Sequence, residues 1–135
     1  MLKLIIGIKG TGKTKNLINL VNEAVEKSHG DVVCIEKGVK LRFDIKYRAR
    51  LIDTNEYFIN DAQSLYGFVA GILASNHDVT DLFIDSSLKI CNEDRVAFDK
   101  FVEEIADISE KIGVSIVMTA SMPTEEASDV VKKYL

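Results

Sequence analysis

The stretch Gly7-Ile8-Lys9-Gly10-Thr11-Gly12-Lys13-Thr14 decides the reading of the whole chain. It meets the pattern G-x-x-x-x-G-K-[ST] at every fixed position, and each fixed residue type has a physical reason to be there. The glycines permit a turn whose successive backbone N–H groups point inward and form a nest for anionic oxygens. A helix opening directly behind the nest adds its own free N–H groups and the positive end of its dipole. Lys13 supplies a cation toward β- and γ-phosphates, and Thr14 supplies a hydroxyl for Mg²⁺. Gly7, Lys9, Gly10, Thr11, Gly12, Lys13 and Thr14 are therefore the candidate phosphate-binding residues.

The flanks agree with that reading. Leu2 to Ile8 is a short apolar run ending in glycines, as expected of a strand buried on both faces. From Lys13 the period changes to a helical one, with Leu17, Leu20, Val21, Ala24 and Val25 on one side and Gly30 as the stop. Val32 to Glu36 is a second β-rich run, closed by Lys37-Gly38. Val39, Leu41, Phe43, Ile45, Tyr47, Ala49 and Leu51 then alternate with polar residues. One strand of thirteen residues would span about 43 Å at 3.3 Å per residue, too long for a small domain, so a break near Asp44 and a short strand near Arg50 to Asp53 are expected.

Asn60 or Asp61 can cap a helix whose Ala62, Leu65, Tyr66, Val69, Ile72 and Leu73 share a face. Leu82 to Asp85 is the next buried strand. Asn92 can cap a long helix carrying Phe98, Phe101, Val102, Ile105 and Ile112, which Gly113 ends. Val114 to Thr119 is another strand. Thr124, just after Pro123, can cap a last helix with Ala127, Val130, Val131 and Tyr134 inward. Strands separated by helices imply right-handed βαβ units and a three-layer α/β fold with a mainly parallel sheet of about five strands. Ligands of such sheets bind at the carboxyl ends of the strands.

Composition bounds the rest. A chain of 135 residues, 47% hydrophobic and 28% charged, is expected to form one domain with its own core rather than a disordered segment. The net charge of −4 argues against a surface given over to DNA. No apolar run reaches the roughly 18 residues of a membrane span, and the N-terminus is too short for a signal-peptide core, so a cytoplasmic protein is expected. Cys34 and Cys91 have no CxxC partner and no zinc spacing, and read as reduced, buried thiols.

Leu82-Phe83-Ile84-Asp85 has the form of a Walker B segment, in which Asp85 holds Mg²⁺ together with Thr14. An Asp at a strand end also serves as a plain helix cap. The succession of the P-loop strand, Val32-Val33-Cys34-Ile35-Glu36, Phe83-Ile84-Asp85-Ser86-Ser87 and Ile112 to Thr119 resembles the core of the RecA/KaiC group of P-loop NTPases. The resemblance implies ATP, or ADP, with Mg²⁺ as ligand, and places the last strand between the two Walker strands. It implies that Glu36 polarises an attacking water and that Thr119 or Ser121 senses the γ-phosphate. It also implies a homo-oligomer in which an arginine from the next subunit can complete the site. The whole chain further resembles short bacterial P-loop proteins labelled as twitching-motility (PilT-type) proteins, although His29 and His77 lie in no histidine box of the kind retraction motors carry.

Some branches lose support. No [NT]KxD guanine-reading motif occurs, Ser86 rather than Glu follows Asp85, and Ile8 stands where a ParA/MinD signature lysine would fall. Glu36 reads either as a catalytic base or as a solvated turn carboxylate beside Lys37. Lys40, Arg42, Lys46, Arg48 and Arg50 form a basic stripe that can meet nucleic-acid phosphates, offer an arginine finger, or guard an edge strand; nucleic acid is not the favoured reading. Tyr47, Tyr57 and Phe58 can stack an adenine or fill core. The leading reading is an ATP-binding protein with slow Mg-dependent ATPase activity. A nucleotide-dependent switch acting on a protein partner is the alternative, and a small-molecule kinase lacks an acceptor segment.

Overall fold

Consecutive apolar side chains leave a strand no polar face to give to water, so such strands must be covered on both sides. The computed structural model, which describes residues 1–135, meets that need with helices on each face of one sheet. The elements run β1 (Leu2–Gly7), α1 (Lys13–Lys27), β2 (Asp31–Glu36), β3 (Arg50–Asp53), α2 (Ala62–Ser75), β4 (Val79–Ile84), α3 (Ser87–Ile90), α4 (Arg95–Ile112), β5 (Ser115–Ser121) and α5 (Asp129–Lys132). All strand pairs are parallel, in the order β1-β5-β4-β2-β3. β5 therefore lies between β1 and β4, the strands that lead into the phosphate loop and into Asp85.

The two faces divide β2 by its pleat. Val33 and Ile35 join Leu65, Val69, Leu73, Phe98, Phe101, Val102 and Ile105 from α2 and α4 in the larger core. Val32 and Cys34 join Leu17, Val21 and Val25 of α1 in the smaller one, together with Leu41, Ile45 and Ala49. The stretch after β2 thus covers the α1 face as a series of turns. Its buried residues recur every fourth position, while Val39, Phe43 and Tyr47 between them stay exposed. The short strand expected at Arg50 to Asp53 is present, but the residues before it form no strand, so the break expected near Asp44 has no strand to interrupt.

Register fixes what happens at the strand ends. Ile35 of β2 lies level with Ile84 of β4, and Ile84 with Met118 of β5. The next residue on each strand is Glu36, Asp85 or Thr119, so three polar side chains from three adjacent strands form one row at the carboxyl edge.

Several expected boundaries move. Asp94, not Asn92, caps α4, its Oδ1 accepting from Ala97 N at 3.0 Å. Asn92 and Glu93 adopt left-handed backbone (φ 61° and 57°) and make the turn before that helix. Ile112 at the far end of α4 is 45% exposed. Thr124 opens only a 3-10 turn, and α5 starts later, capped by Ser128 through Val131 N. Gly30 does not stop α1, which ends at Lys27; it leads into β2, where an added Cβ would sit 2.3 Å from the Asp78 carbonyl oxygen. Asp61 is the cap of α2, in a capping box with Ser64.

Both cysteines are free and buried. Burial, and then the nearby Asp85 and Glu36 charges, push the Cys34 thiol far up, and burial first of all takes Cys91 to about 12. Neither supplies a thiolate near neutral pH. His29 and His77 are exposed, and no helix is long and apolar enough to cross a membrane.

Candidate functional site

The loop between β1 and α1 is built by its glycines. Gly10 and Gly12 have φ of 86° and 84°, left-handed values that side chains avoid. Gly12 is the N-cap of α1 and offers no side chain to the helix, whose first turn holds no acidic residue. The N–H groups of that turn are left to a ligand. Inside the loop, Thr11 Oγ1 donates to the Ile8 carbonyl at 2.7 Å and Lys13 Nζ donates to the same oxygen at 3.0 Å. An ammonium has three donors, so Lys13 keeps capacity for phosphate oxygens.

Across from the loop stands Asp85, itself buried. Thr14 Oγ1 lies 3.2 and 3.3 Å from the two Asp85 carboxylate oxygens. Thr119 Oγ1 donates to Asp85 Oδ1 at 2.7 Å and accepts from Ser86 N at 2.8 Å. Ser87 Oγ in turn donates to the Thr119 carbonyl at 2.7 Å. A γ-phosphate sensor reaches its ligand with a free polar atom; the Thr119 hydroxyl, 1% exposed, is engaged on both sides by Asp85 and its neighbour. Ser121, the other sensor candidate, lines the cleft at the end of β5.

The donor set suits Mg²⁺. A hydroxyl and one carboxylate, both hard oxygen ligands, stand together beside a phosphate nest, and this ion is held by one or two carboxylates plus ligand phosphates and waters. No group of three or more His, Cys, Asp or Glu side chains gathers anywhere to make an all-protein metal cage.

Glu36 is neither a solvated turn residue nor a free base. It is 3% exposed, and its Oε1 and Oε2 accept from Lys40 N and Leu41 N, each at 3.1 Å. The carboxylate thereby folds the segment after β2 back over the strand end. Its pKa is raised, chiefly by burial; the two backbone N–H bonds pull it down, and the Asp85 and Asp53 charges add to the rise. A carboxyl raised in the folded state stabilises most below its ordinary value of 4.5, and that contribution disappears as pH climbs through the folded value. Wild type is therefore expected to lose stability relative to Glu36→Gln between about pH 4 and about pH 7. Denaturant midpoints of both proteins at the two pH values check this; parallel shifts would show that Glu36 titrates as in the unfolded chain.

Together these residues line a cleft of about 600 Å³. Six lysines face it, Lys9, Lys13, Lys15, Lys37, Lys40 and Lys89, against the three carboxylates Glu36, Asp85 and Glu93. The cleft is thus basic in a chain whose net charge is −4. Lys15, Lys37 and Lys89 belong to no motif; Lys15 follows the loop directly in α1, whereas only the parallel register and the fold of the 37–41 segment bring in Lys89 and Lys37. Tyr47 and Tyr57 line a separate groove, and Phe58 is 88% exposed, so these aromatics neither fill core nor face the phosphate loop. Most of the basic stripe also points elsewhere. Lys46 pairs with Glu26, Arg48 donates to the Val25 carbonyl at 3.1 Å, and Arg42 sits 5.1 Å from the Phe43 ring centroid. Asn22 of α1 clasps the same turns, donating to Asp44 O and accepting from Lys46 N at 2.9 Å each.

A helix-capped phosphate loop, a carboxylate on a strand beyond an intervening one and an all-parallel five-stranded sheet define the P-loop NTPase fold in its RecA/KaiC form. Among solved structures the chain matches a KaiC-like protein from the hyperthermophilic archaeon Pyrococcus horikoshii, with a TM-score of 0.69 at 16% identity. The match covers 98% of this chain and 66% of that one, so this chain spans just under two thirds of its length. No protein-family model and no curated protein matches the sequence. The PilT-type resemblance finds no support in these comparisons.

Proposed function

We propose that residues 1–135 form one nucleotide-binding domain that takes a nucleoside triphosphate such as ATP, or ADP, with Mg²⁺, and hydrolyses the triphosphate slowly, in the cytoplasm. The observation that carries the reading is the placement of Thr14 and Asp85 side by side at the mouth of a helix-capped loop. Gly7, Lys9, Gly10, Thr11 and Gly12 would form the nest, Lys13 would meet the β- and γ-phosphates, and Thr14 and Asp85 would hold the ion, which offsets phosphate charge when bound. Thr119 would act as a positioning residue that fixes Asp85.

Turnover is slow on this reading because Glu36, the residue in the place of a base, is tied to two backbone N–H groups. The same tie favours the second reading, a nucleotide-dependent switch, since a ligand that displaces Glu36 from Lys40 N and Leu41 N would loosen the segment carrying Lys37 and Lys40. Phosphate release from Mg·ATP by the purified chain, with Lys13→Ala as blank, separates the two. Turnover above the blank establishes the ATPase. Saturable binding with no turnover leaves the switch, and absence of binding by folded protein removes both.

A further inference from the structure

The walls of the cleft are unlike those of a pocket that reads a base. Sites for flat heterocycles present apolar or aromatic faces with a few placed polar groups. Here the one hydrophobic lining residue is Leu41, itself 3% exposed and committed to the core against α1. No aromatic ring lines the cleft. The only buried side-chain polar atom lacking a partner is Thr54 Oγ1, which lies outside the cleft, so no unpaired group waits in it for a base edge.

Charge is what the cleft offers instead, and it comes from three sides. Lys9, Lys13 and Lys15 belong to the phosphate loop and the start of α1, Lys37 and Lys40 to the segment held by Glu36, and Lys89 to α3. Among these, Lys9, Lys15, Lys40 and Lys89 make no side-chain hydrogen bond or ion pair in the fold, so nothing internal competes with an anion for them. The other two are shared, Lys37 donating to Asn55 Oδ1 at 3.2 Å and Lys13 to the Ile8 carbonyl at 3.0 Å. Ammonium groups bind phosphate oxygens as point charges and carry no information about what the phosphate chain is attached to.

We propose that this cleft recognises its ligand by the polyphosphate chain alone, so that purine and pyrimidine nucleoside triphosphates and inorganic triphosphate bind with comparable affinity. The inference rests on the nucleotide-site reading and deepens it, naming the ligand class as any Mg-bound triphosphate. A site that hydrogen-bonds its substrate's polar edge rejects analogues lacking it by about 10⁴-fold or more, and a stacking face alone separates flat rings by far less. Comparable binding across bases is the mark of a site with neither.

The test is calorimetric titration of the full chain in Mg²⁺ at fixed ionic strength with ATP, GTP, CTP, inorganic triphosphate and adenosine. Dissociation constants within about threefold of one another, a difference of about 0.7 kcal/mol, are expected for the four triphosphates, with no heat from adenosine. Lys13→Ala should weaken all four alike, and Tyr47→Ala with Tyr57→Ala should change none. One nucleotide bound tenfold or more above the others overturns the inference while leaving a nucleotide site in place. Inorganic triphosphate binding that Lys13→Ala leaves untouched also overturns it, because the anion then sits elsewhere. If none of the four binds folded protein, the nucleotide-site reading falls as well.

Discussion

Lys13→Ala is expected to weaken Mg-triphosphate binding by about 10- to 100-fold, since a hydrogen bond to a charged group contributes roughly 1.5–3 kcal/mol. The substitution removes the one buried lysine of the loop, 9% exposed, whose ammonium is already aimed at the loop's own carbonyl, Ile8 O, at 3.0 Å. The fold should survive, because alanine is the best helix former at the first position of α1 and Ile8 O keeps its bond from Thr11 Oγ1. Titration calorimetry measures the affinity, and circular dichroism with a thermal melt checks the fold. Lys13→Arg should not restore binding. A branched guanidinium presents its donors in a fixed fork, whereas a loop shaped for one ammonium has room for a point charge. An affinity equal to wild type in a folded Lys13→Ala protein would show that the loop does not hold the phosphates.

The phosphate loop was readable because its information is contiguous: glycine conformations, a helix start, a cation and a hydroxyl fall within Gly7 to Thr14. Strands were readable for a similar reason, since a run such as Val32 to Ile35 has no polar face. The row Glu36, Asp85, Thr119 was only half visible. Each residue could be placed at a strand end, but which atoms meet depends on register across three strands that are far apart in sequence. Thr119 illustrates this, because its Asp85 contact exists only once β5 lies beside β4.

The turns between β2 and β3 misled in another way. Alternation over Val39 to Leu51 suggests a period of two, yet the buried set is Leu41, Ile45 and Ala49, a period of four. A chain of tight turns, fastened to α1 through Asn22, Glu26 and the Val25 carbonyl, has no periodicity rule of its own. The aromatics Tyr47, Tyr57 and Phe58, which read as core or as stacking faces, are 94%, 48% and 88% exposed. Capping was settled by backbone geometry rather than residue type. Asn92 and Asp94 are both good caps, but only Asp94 has the extended backbone a cap needs.

Thr119→Val is expected to cost about 1–3 kcal/mol of stability, the range for leaving a buried polar group without its partner. Valine nearly matches threonine in shape, so the loss isolates the hydroxyl from packing. That hydroxyl accepts from Ser86 N at 2.8 Å and donates to Asp85 Oδ1 at 2.7 Å, so its removal orphans one donor and frees one carboxylate oxygen to turn. Chemical denaturation should show the deficit, and Thr119→Ser, which keeps the hydroxyl, should recover most of it. Ligand binding separates the two roles open to this residue. Acting through Asp85, Thr119 helps place the ion, so Thr119→Val should raise the Mg²⁺ requirement for ATP and for ADP together. A direct contact with the γ-phosphate would weaken ATP and spare ADP. A selective loss of ATP would therefore return Thr119 to sensing, and an unchanged stability with unchanged Mg²⁺ dependence would remove it from the site.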